Sequence, residues 1–261
     1  MHINYDPMKS LRSRLFALIS LVLFSCQNPS LGLAGTTPPS HQLWDQLVKA
    51  HVKPNGLVNY KGFIHDKAKL DQYLKLISEN APDRKTWSKN QQLAYWINAY
   101  NAFTVKLIVD NYPVKSIRDL GPALKIPLIK DVWHYKFFKI GGVESSLDEI
   151  EHSILRKEFD EPRIHFAINC ASVSCPPLLN EAFVADKLDA QLNGVATTFI
   201  NDPTRNKVSA DQAQISSIFS WFKEDFTKKG TLVDFLNLYS KVKIKSSAKI
   251  SHLEYNWNLN E

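Results

Sequence analysis

Apolar residues recur along this chain at two spacings, and the spacing predicts most of its elements. Between residues 41 and 52, Leu43, Trp44, Leu47 and Val48 fall on one helical face. "KPNG" then predicts a turn, "LVNY" a short strand, and 66–79 a second amphipathic helix carrying Leu70, Tyr73, Leu74 and Ile77. Ser88 with Gln91 forms a capping-box pair ahead of "NQQLAYWINAYNAFTVKLIVDNY", a long helix that Pro113 ends. "VWHYKFFKIGG" predicts a strand closing on a Gly-Gly turn, Ser146 and Glu149 cap a helix over 147–158, and 163–169 alternates as a strand does. Further helices are expected at 186–200, near 216–226 and at 231–240, with "HLEYNW" as a final strand. Helices outnumber strands without regular alternation, so the expected class is α+β. It would be a single, mostly helical domain over 41–260 with a small sheet and a candidate site at a strand end.

Some polar residues break the pattern. At 100° per residue, Glu151 falls inside the apolar arc of Leu147, Ile150, Ile154 and Leu155, and His152 falls at its edge. A carboxylate facing a core needs a partner, which Arg156 or Arg163 would provide in an ion pair. The same burial also suits acid–base work. On the long helix Asn98 and Asn101 share a flank with Ala94 and Val105, so both amides should be at least half buried. They would either brace a loop through its backbone, or orient an imidazole or an oxyanion.

The stretch "RIHFAINCASVSCPPL" holds two of the three cysteines, Cys170 and Cys175. Three roles are open to them. A disulfide would close a small loop, zinc binding lacks a second Cys or His pair at standard spacing, and Cys170 at a strand end would serve as a nucleophile. His165 lies an odd number of residues before Cys170, on the opposite face of the expected strand, so His152 is the better placed imidazole. A catalytic set would then take Cys170 as nucleophile, His152 as base, and Glu151 or Asn98 to orient the ring. Asn101 or backbone N–H groups would meet the oxyanion, and His165 would stand nearby. Ile218, Phe219, Phe222 and Phe226 read as a core-facing helix, Asp225 as a solvated or capping residue. No spacing supports His134, and no cofactor or metal motif is seen.

Composition narrows the setting. Three of the 32 basic and one of the 26 acidic residues lie in positions 1–25, so the remainder holds 29 and 25, scattered rather than massed. No nucleic-acid partner is expected from that distribution. Lys9, Arg12 and Arg14 precede ten apolar or small residues, Leu15 to Phe24, too few to span a bilayer. This predicts a signal peptide over 1–25. "LFSC" resembles the lipobox of bacterial lipoproteins, which would make Cys26 the lipidated residue and anchor the chain in the cell envelope. Gln27 after the cysteine favours the outer membrane. Cleavage after Ala34, giving a periplasmic or secreted chain, is the alternative. Residues 26–40 read as a flexible tether.

Four blocks, "QQLAYWINAYNAFT", "SLDEIEHSILR", "RIHFAINCASVSCPPL" and "SSIFSWFKEDF", with the closing "YNWNLN", resemble the family catalogued as domain of unknown function 547 from about residue 41 to 260. The resemblance implies that the positions of Asn98, Asn101, Glu151, His152, His165 and Cys170 matter. Plant members similar in this domain are intracellular and often carry serine where Cys175 stands here, which implies that Cys170 is wanted for itself. The combined expectation is a cysteine-dependent hydrolase or acyl transferase acting on a small molecule or envelope polymer. The alternative is a non-catalytic binding or scaffold module of the envelope.

Overall fold

The computed structural model describes residues 37–121 and 131–261. The expected signal peptide, the expected lipidation site Cys26 and most of the expected tether lie outside the described residues. The first helices are α1 (Gln42–His51), α2 (Tyr60–His65) and α3 (Lys67–Glu79), which pack on one another and present α3 to α4 (Lys89–Asn111). Trp44 of α1 stacks on Tyr73 of α3 with ring centroids 5.9 Å apart, and both are almost fully buried. Each such side chain contributes roughly 1.5–3 kcal/mol by leaving water.

The capping box of α4 forms as the sequence predicts. Ser88 Oγ accepts from the Gln91 N–H at 3.2 Å, and Gln91 Oε1 accepts from the Ser88 N–H at 2.7 Å. From Gln92 to Val109 every residue of α4 except Lys106 is buried. A helix apolar on nearly all sides belongs in the middle of a core. Its polar members, Asn98, Asn101 and Thr104, are therefore enclosed too, and the surrounding chain has to satisfy them.

Among the described residues two small sheets complete the α+β fold. The first is the hairpin of β1 (Phe138–Ile140) and β2 (Val143–Ser145), turned by Gly141 and Gly142 at φ 59° and 80°. The second joins β3 (Lys207–Val208) antiparallel to β4 (Gln212–Ile215), and β4 parallel to β5 (Lys249–His252), with Ala213 opposite Ile250. Between the sheets run a π-helix (Glu149–Leu155), which continues into α5 (Arg156–Glu158), and a 3₁₀ turn (Pro162–Phe166). After them come α6 (Leu188–Ile200), α7 (Ile218–Trp221), α8 (Lys223–Phe226) and α9 (Leu232–Tyr239).

Several elements depart from their predicted form. The expected strand 163–169 is the 3₁₀ turn: Pro162 opens it and the Glu161 side chain accepts from the Arg163 N–H. Pro at the first helical position favours that outcome. Residues 164–169 are buried on all sides against α6, so the apolar alternation of Ile164, Phe166 and Ile168 carried no strand. Cys170 consequently follows a helical turn, not a strand end. "LVNY" makes only a single pairing, Val52 with Val58, before Tyr60 enters α2. "HLEYNW" contributes just His252 to β5, and the predicted helix near 216–226 breaks at Phe222 into α7 and α8. The helix expected over 147–158 is widened to a π-helix over Glu149–Leu155, a form frequent at functional sites.

Two glycines offer a stability check. Gly142 has open space where a Cβ would sit, whereas a Cβ on Gly56 (φ 80°) would run into the Cβ and backbone Cα of Pro177. Gly142→Ala should cost about 1–2 kcal/mol from its left-handed backbone alone, and Gly56→Ala clearly more. Urea titrations of both variants check the order, and equal losses would contradict the crowding at Gly56.

Candidate functional site

The cysteine loop is held by buried amides. Asn101 on α4 donates from Nδ2 to the Ala167 carbonyl at 2.9 Å and accepts the Asn169 N–H on Oδ1 at 2.9 Å. Asn169 in turn donates to the Pro176 carbonyl at 2.7 Å and accepts the Ala171 N–H at 2.8 Å and Asn260 Nδ2 at 3.2 Å. Asn260 accepts the Tyr60 hydroxyl at 2.7 Å. This relay fixes both ends of the loop 169–176, and it holds Ala171 at φ 58°, a conformation unusual for a residue with a side chain. Backbone held in so sparse a region persists only where the surrounding structure enforces it.

Within that loop Cys170 and Cys175 are joined by a disulfide, their Cα atoms 6.2 Å apart. Of the three roles left open by the sequence, the described state therefore takes the disulfide, and Cys170 has no free thiol in it. Ser172 donates to the Tyr255 hydroxyl at 3.2 Å, and Tyr255 donates to Cys175 Sγ at 3.1 Å, with Cys170 Sγ at 3.4 Å. Burial pushes the Tyr255 phenol above its ordinary pKa, so it stays a donor at neutral pH.

Both sulfurs lie in the wall of a cavity of about 230 Å³. Glu151, His152 and His165 line it too, as do Asp131, His134 and Asp148. Its aromatic walls are Tyr100, Trp133, Trp221, Phe222, Tyr255 and Trp257. Glu151 is buried and accepts from the Tyr100 hydroxyl at 3.3 Å. Burial raises its carboxyl to about 7, more than that bond and the nearby Arg156 charge lower it. The expected ion pair with Arg156 or Arg163 does not form. Arg156 donates to Asp225 (2.6 Å) and to His152 Nδ1 (2.8 Å), and Arg163 to Glu161, Asp189 and Asn193.

The two imidazoles differ in what is left to them. Because Arg156 can only donate, His152 Nδ1 accepts, and its proton sits on Nε2, 3.7 Å from Asp148. Burial lowers the His152 pKa, so the ring is held neutral with its lone pair occupied. His165 Nε2 meets Asp225 at 2.8 Å, and its ring stacks on Phe222 with centroids 4.0 Å apart. Burial opposes charge at Asp225, yet the hydrogen bonds from His165 and Arg156 outweigh it and keep that carboxyl ionised well below the usual range. The carboxylate fixes the tautomer by accepting Nε2–H, which leaves Nδ1 of His165 a buried lone pair without a hydrogen-bond partner. Burial also lowers the His165 pKa, consistent with a neutral ring.

The structure thus brings four of the six predicted site residues, Glu151, His152, His165 and Cys170, to one cavity, and leaves two outside its wall. Asn98 spends its amide on Phe183, donating to its carbonyl at 2.8 Å and accepting its N–H at 3.0 Å. Asn101 is spent on the relay. Both therefore brace loops and offer nothing to a reacting group. The proposed backbone oxyanion donors are also occupied: the N–H groups of Ala171, Val173, Ser174 and Cys175 bond Asn169, Asn258, Asn256 and Ser172. His165 and Cys170 share one cavity because the connecting segment is helical, so the opposite-face argument does not apply. Asp225, expected to be solvated, is instead the partner of His165. Asp148 was missed although it stands one helical turn before His152, a spacing that could have flagged it, and Tyr255 and the tryptophans were missed because they come from distant segments at no diagnostic spacing. Among the described residues no set of three or more His, Cys, Asp or Glu side chains is grouped to hold a metal ion.

Residues 84–200 match the family model described as "Protein of unknown function, DUF547". Over these residues the chain is similar to the DUF547 family. The matched DUF547 segment contains α4, the π-helix and the cysteine loop, while Asp225, Tyr255 and Trp257 lie beyond it. No curated protein and no solved structure matches the chain.

Two outcomes follow from this geometry. Asn98→Ala leaves the buried Phe183 N–H and carbonyl unpaired, so it should lower stability by about 2–4 kcal/mol in urea unfolding. No loss would mean that water or another group replaces the amide. Glu151 holds its proton more tightly in the folded state than its ordinary value of 4.5 allows in the unfolded one. Its contribution is therefore complete below pH 4.5 and is lost as pH rises towards 7 and above. Glu151→Gln should gain about 2–4 kcal/mol relative to the parent between pH 5 and 8. A pH-independent difference would show that Glu151 is ionised throughout.

Proposed function

We propose that this protein is a hydrolase or acyl transferase that uses Cys170 as nucleophile, with His165 as its base and Asp225 orienting the ring. One observation carries this reading: an imidazole held by an ionised carboxylate, with its other nitrogen unpartnered, lines the same cavity as Cys170. His152 is the weaker base because Arg156 occupies its lone pair.

The chemistry starts from the open loop. A dithiol reductant supplies two electrons and two protons to the Cys170–Cys175 bond and leaves as its own disulfide. His165 Nδ1 then takes the Cys170 proton, and the thiolate attacks the carbonyl carbon of an ester or amide. Tyr255, released from the sulfurs, donates to the oxyanion. The imidazolium protonates the leaving group as the tetrahedral intermediate collapses to a thioester. Water, or an acceptor hydroxyl or amine, then attacks that thioester with His165 again as base, and the Cys170 thiol is regenerated. Glu151, protonated for part of the time near neutral pH, serves as a second proton donor at the cavity wall.

The basic, apolar leader and "LFSC" support an exported chain held in the cell envelope through a lipid on Cys26, which would put its substrates there. No helix among the described residues is long and apolar enough to cross a membrane. One observation favours the second reading, a non-catalytic binding or scaffold module: the disulfide itself, which staples the loop and removes the nucleophile.

Cys175→Ser separates the two by leaving Cys170 as a thiol. Iodoacetamide at pH 6 should alkylate it about tenfold or more faster in the folded than in the urea-unfolded chain, and His165→Gln should abolish the difference. A folded rate no higher than the unfolded one removes the nucleophile and leaves the binding module.

A further inference from the structure

The cavity wall has a composition that acid–base chemistry alone does not require. It holds three of the chain's six tryptophans, Trp133, Trp221 and Trp257, beside Tyr255. These rings form a continuous group: Trp221 and Trp257 stack at 5.9 Å, Tyr255 lies 4.5 Å from Trp257, and Trp133 meets Trp257 edge-on at 5.6 Å. Trp221 is half exposed, at 50%, so its ring is open to a ligand entering the cavity.

The charges in the same wall are of one kind. Asp131 and Asp148 share His134, at 2.7 and 3.3 Å, so the three groups keep a net negative charge even with the ring protonated. No Lys or Arg lies among the described residues that line the cavity, although the chain has 32 basic residues against 26 acidic. Aromatic faces carry negative potential and attract cations, more strongly where water is displaced. Two rings of this wall already meet a guanidinium: Arg118 lies 5.2 Å from the Trp257 centroid and Arg156 5.0 Å from that of Phe222. A cavity of about 230 Å³ suits a compact head group rather than a whole polymer segment.

We propose that the cavity takes its substrate through an alkylammonium group, seated against Trp133, Trp221, Tyr255 and Trp257 with Asp131 and Asp148 as counter-charges. This rests on the preceding reading for the site of chemistry, and it narrows the substrate to a cationic ester or amide. The ammonium end lies against the tryptophans and the acyl carbon towards Cys170. A neutral sugar would stack on the same rings but would gain nothing from the carboxylates, and an anion would be repelled by them.

Calorimetric titration of the intact chain tests this with head groups of equal shape. Choline should bind, its uncharged isostere 3,3-dimethylbutan-1-ol about tenfold or more weakly, and 3,3-dimethylbutanoate not measurably. Trp221→Ala, at an exposed position, should weaken choline about fivefold or more without moving the thermal unfolding midpoint. Equal binding of the neutral isostere, an unchanged affinity in Trp221→Ala, or cellobiose binding in place of choline would each overturn the proposal. Failure here with rapid Cys170 alkylation condemns only the ammonium site, and the reverse pattern condemns only the nucleophile.

Discussion

A short relay of buried amides governs this structure. Tyr60, Asn260, Asn169 and Asn101 hand hydrogen bonds from α2, through the last residues of the chain, to the cysteine loop and on to α4. Because α4 is enclosed on nearly all sides, its amides cannot turn to water, and each must find backbone to bond. The loops they find are those ending at Phe183 and surrounding Cys170. Satisfying α4 and positioning the sulfur are thus one physical requirement. Removing either end would leave polar groups buried and unpaired, at about 1–3 kcal/mol each.

A second constraint joins the imidazoles. Arg156 touches both Asp225 and His152, and Asp225 touches His165, so a single guanidinium sets the state of two rings. Burial holds His152 neutral, and Arg156 adds to this by occupying the lone pair of its ring. Arg156 also helps to keep Asp225 ionised, which holds the tautomer of His165. The widened π-helix carries Glu151, His152 and the approach to Arg156 in one stretch, so their spacing around the cavity departs from that of a regular helix. Glu151, buried beside Tyr100, makes no hydrogen bond to that network, and burial raises its carboxyl to about 7. Burial thus raises the Glu151 carboxyl and lowers both imidazoles, while hydrogen bonds hold the Asp225 carboxyl down.

Much of the helical frame was legible from spacing. The capping box of α4, the end of that helix at Pro113 and the Gly-Gly hairpin are local features, decided by residues three or four apart. The burial of Glu151, Asn98 and Asn101 was legible as well, because their positions on apolar flanks left no other surface. The partners of those residues were not. Phe183 lies 85 residues from Asn98, Tyr100 lies 51 from Glu151, and Asp225 lies 60 from His165. The strand expected over 163–169 failed for a related reason. Alternation signals one buried face, and this segment is buried on every face beneath α6, so the local effects of Pro162 and Glu161 decided its form.

By itself the sequence determined an α+β domain of mostly helices, the enclosed polar residues of α4 and the π-helix, and the cysteine pair as the place to look for chemistry. These depend on local periodicity and on the cost of burying charge, both of which act along the chain. Only the tertiary structure decided that Asn98 and Asn101 brace loops, that Asp225 orients His165, and that Cys170 is bonded to Cys175. It alone gathered the tryptophans into one wall. Each of those outcomes depends on which distant donor or ring reaches a given atom first, and no spacing along the chain encodes that distance.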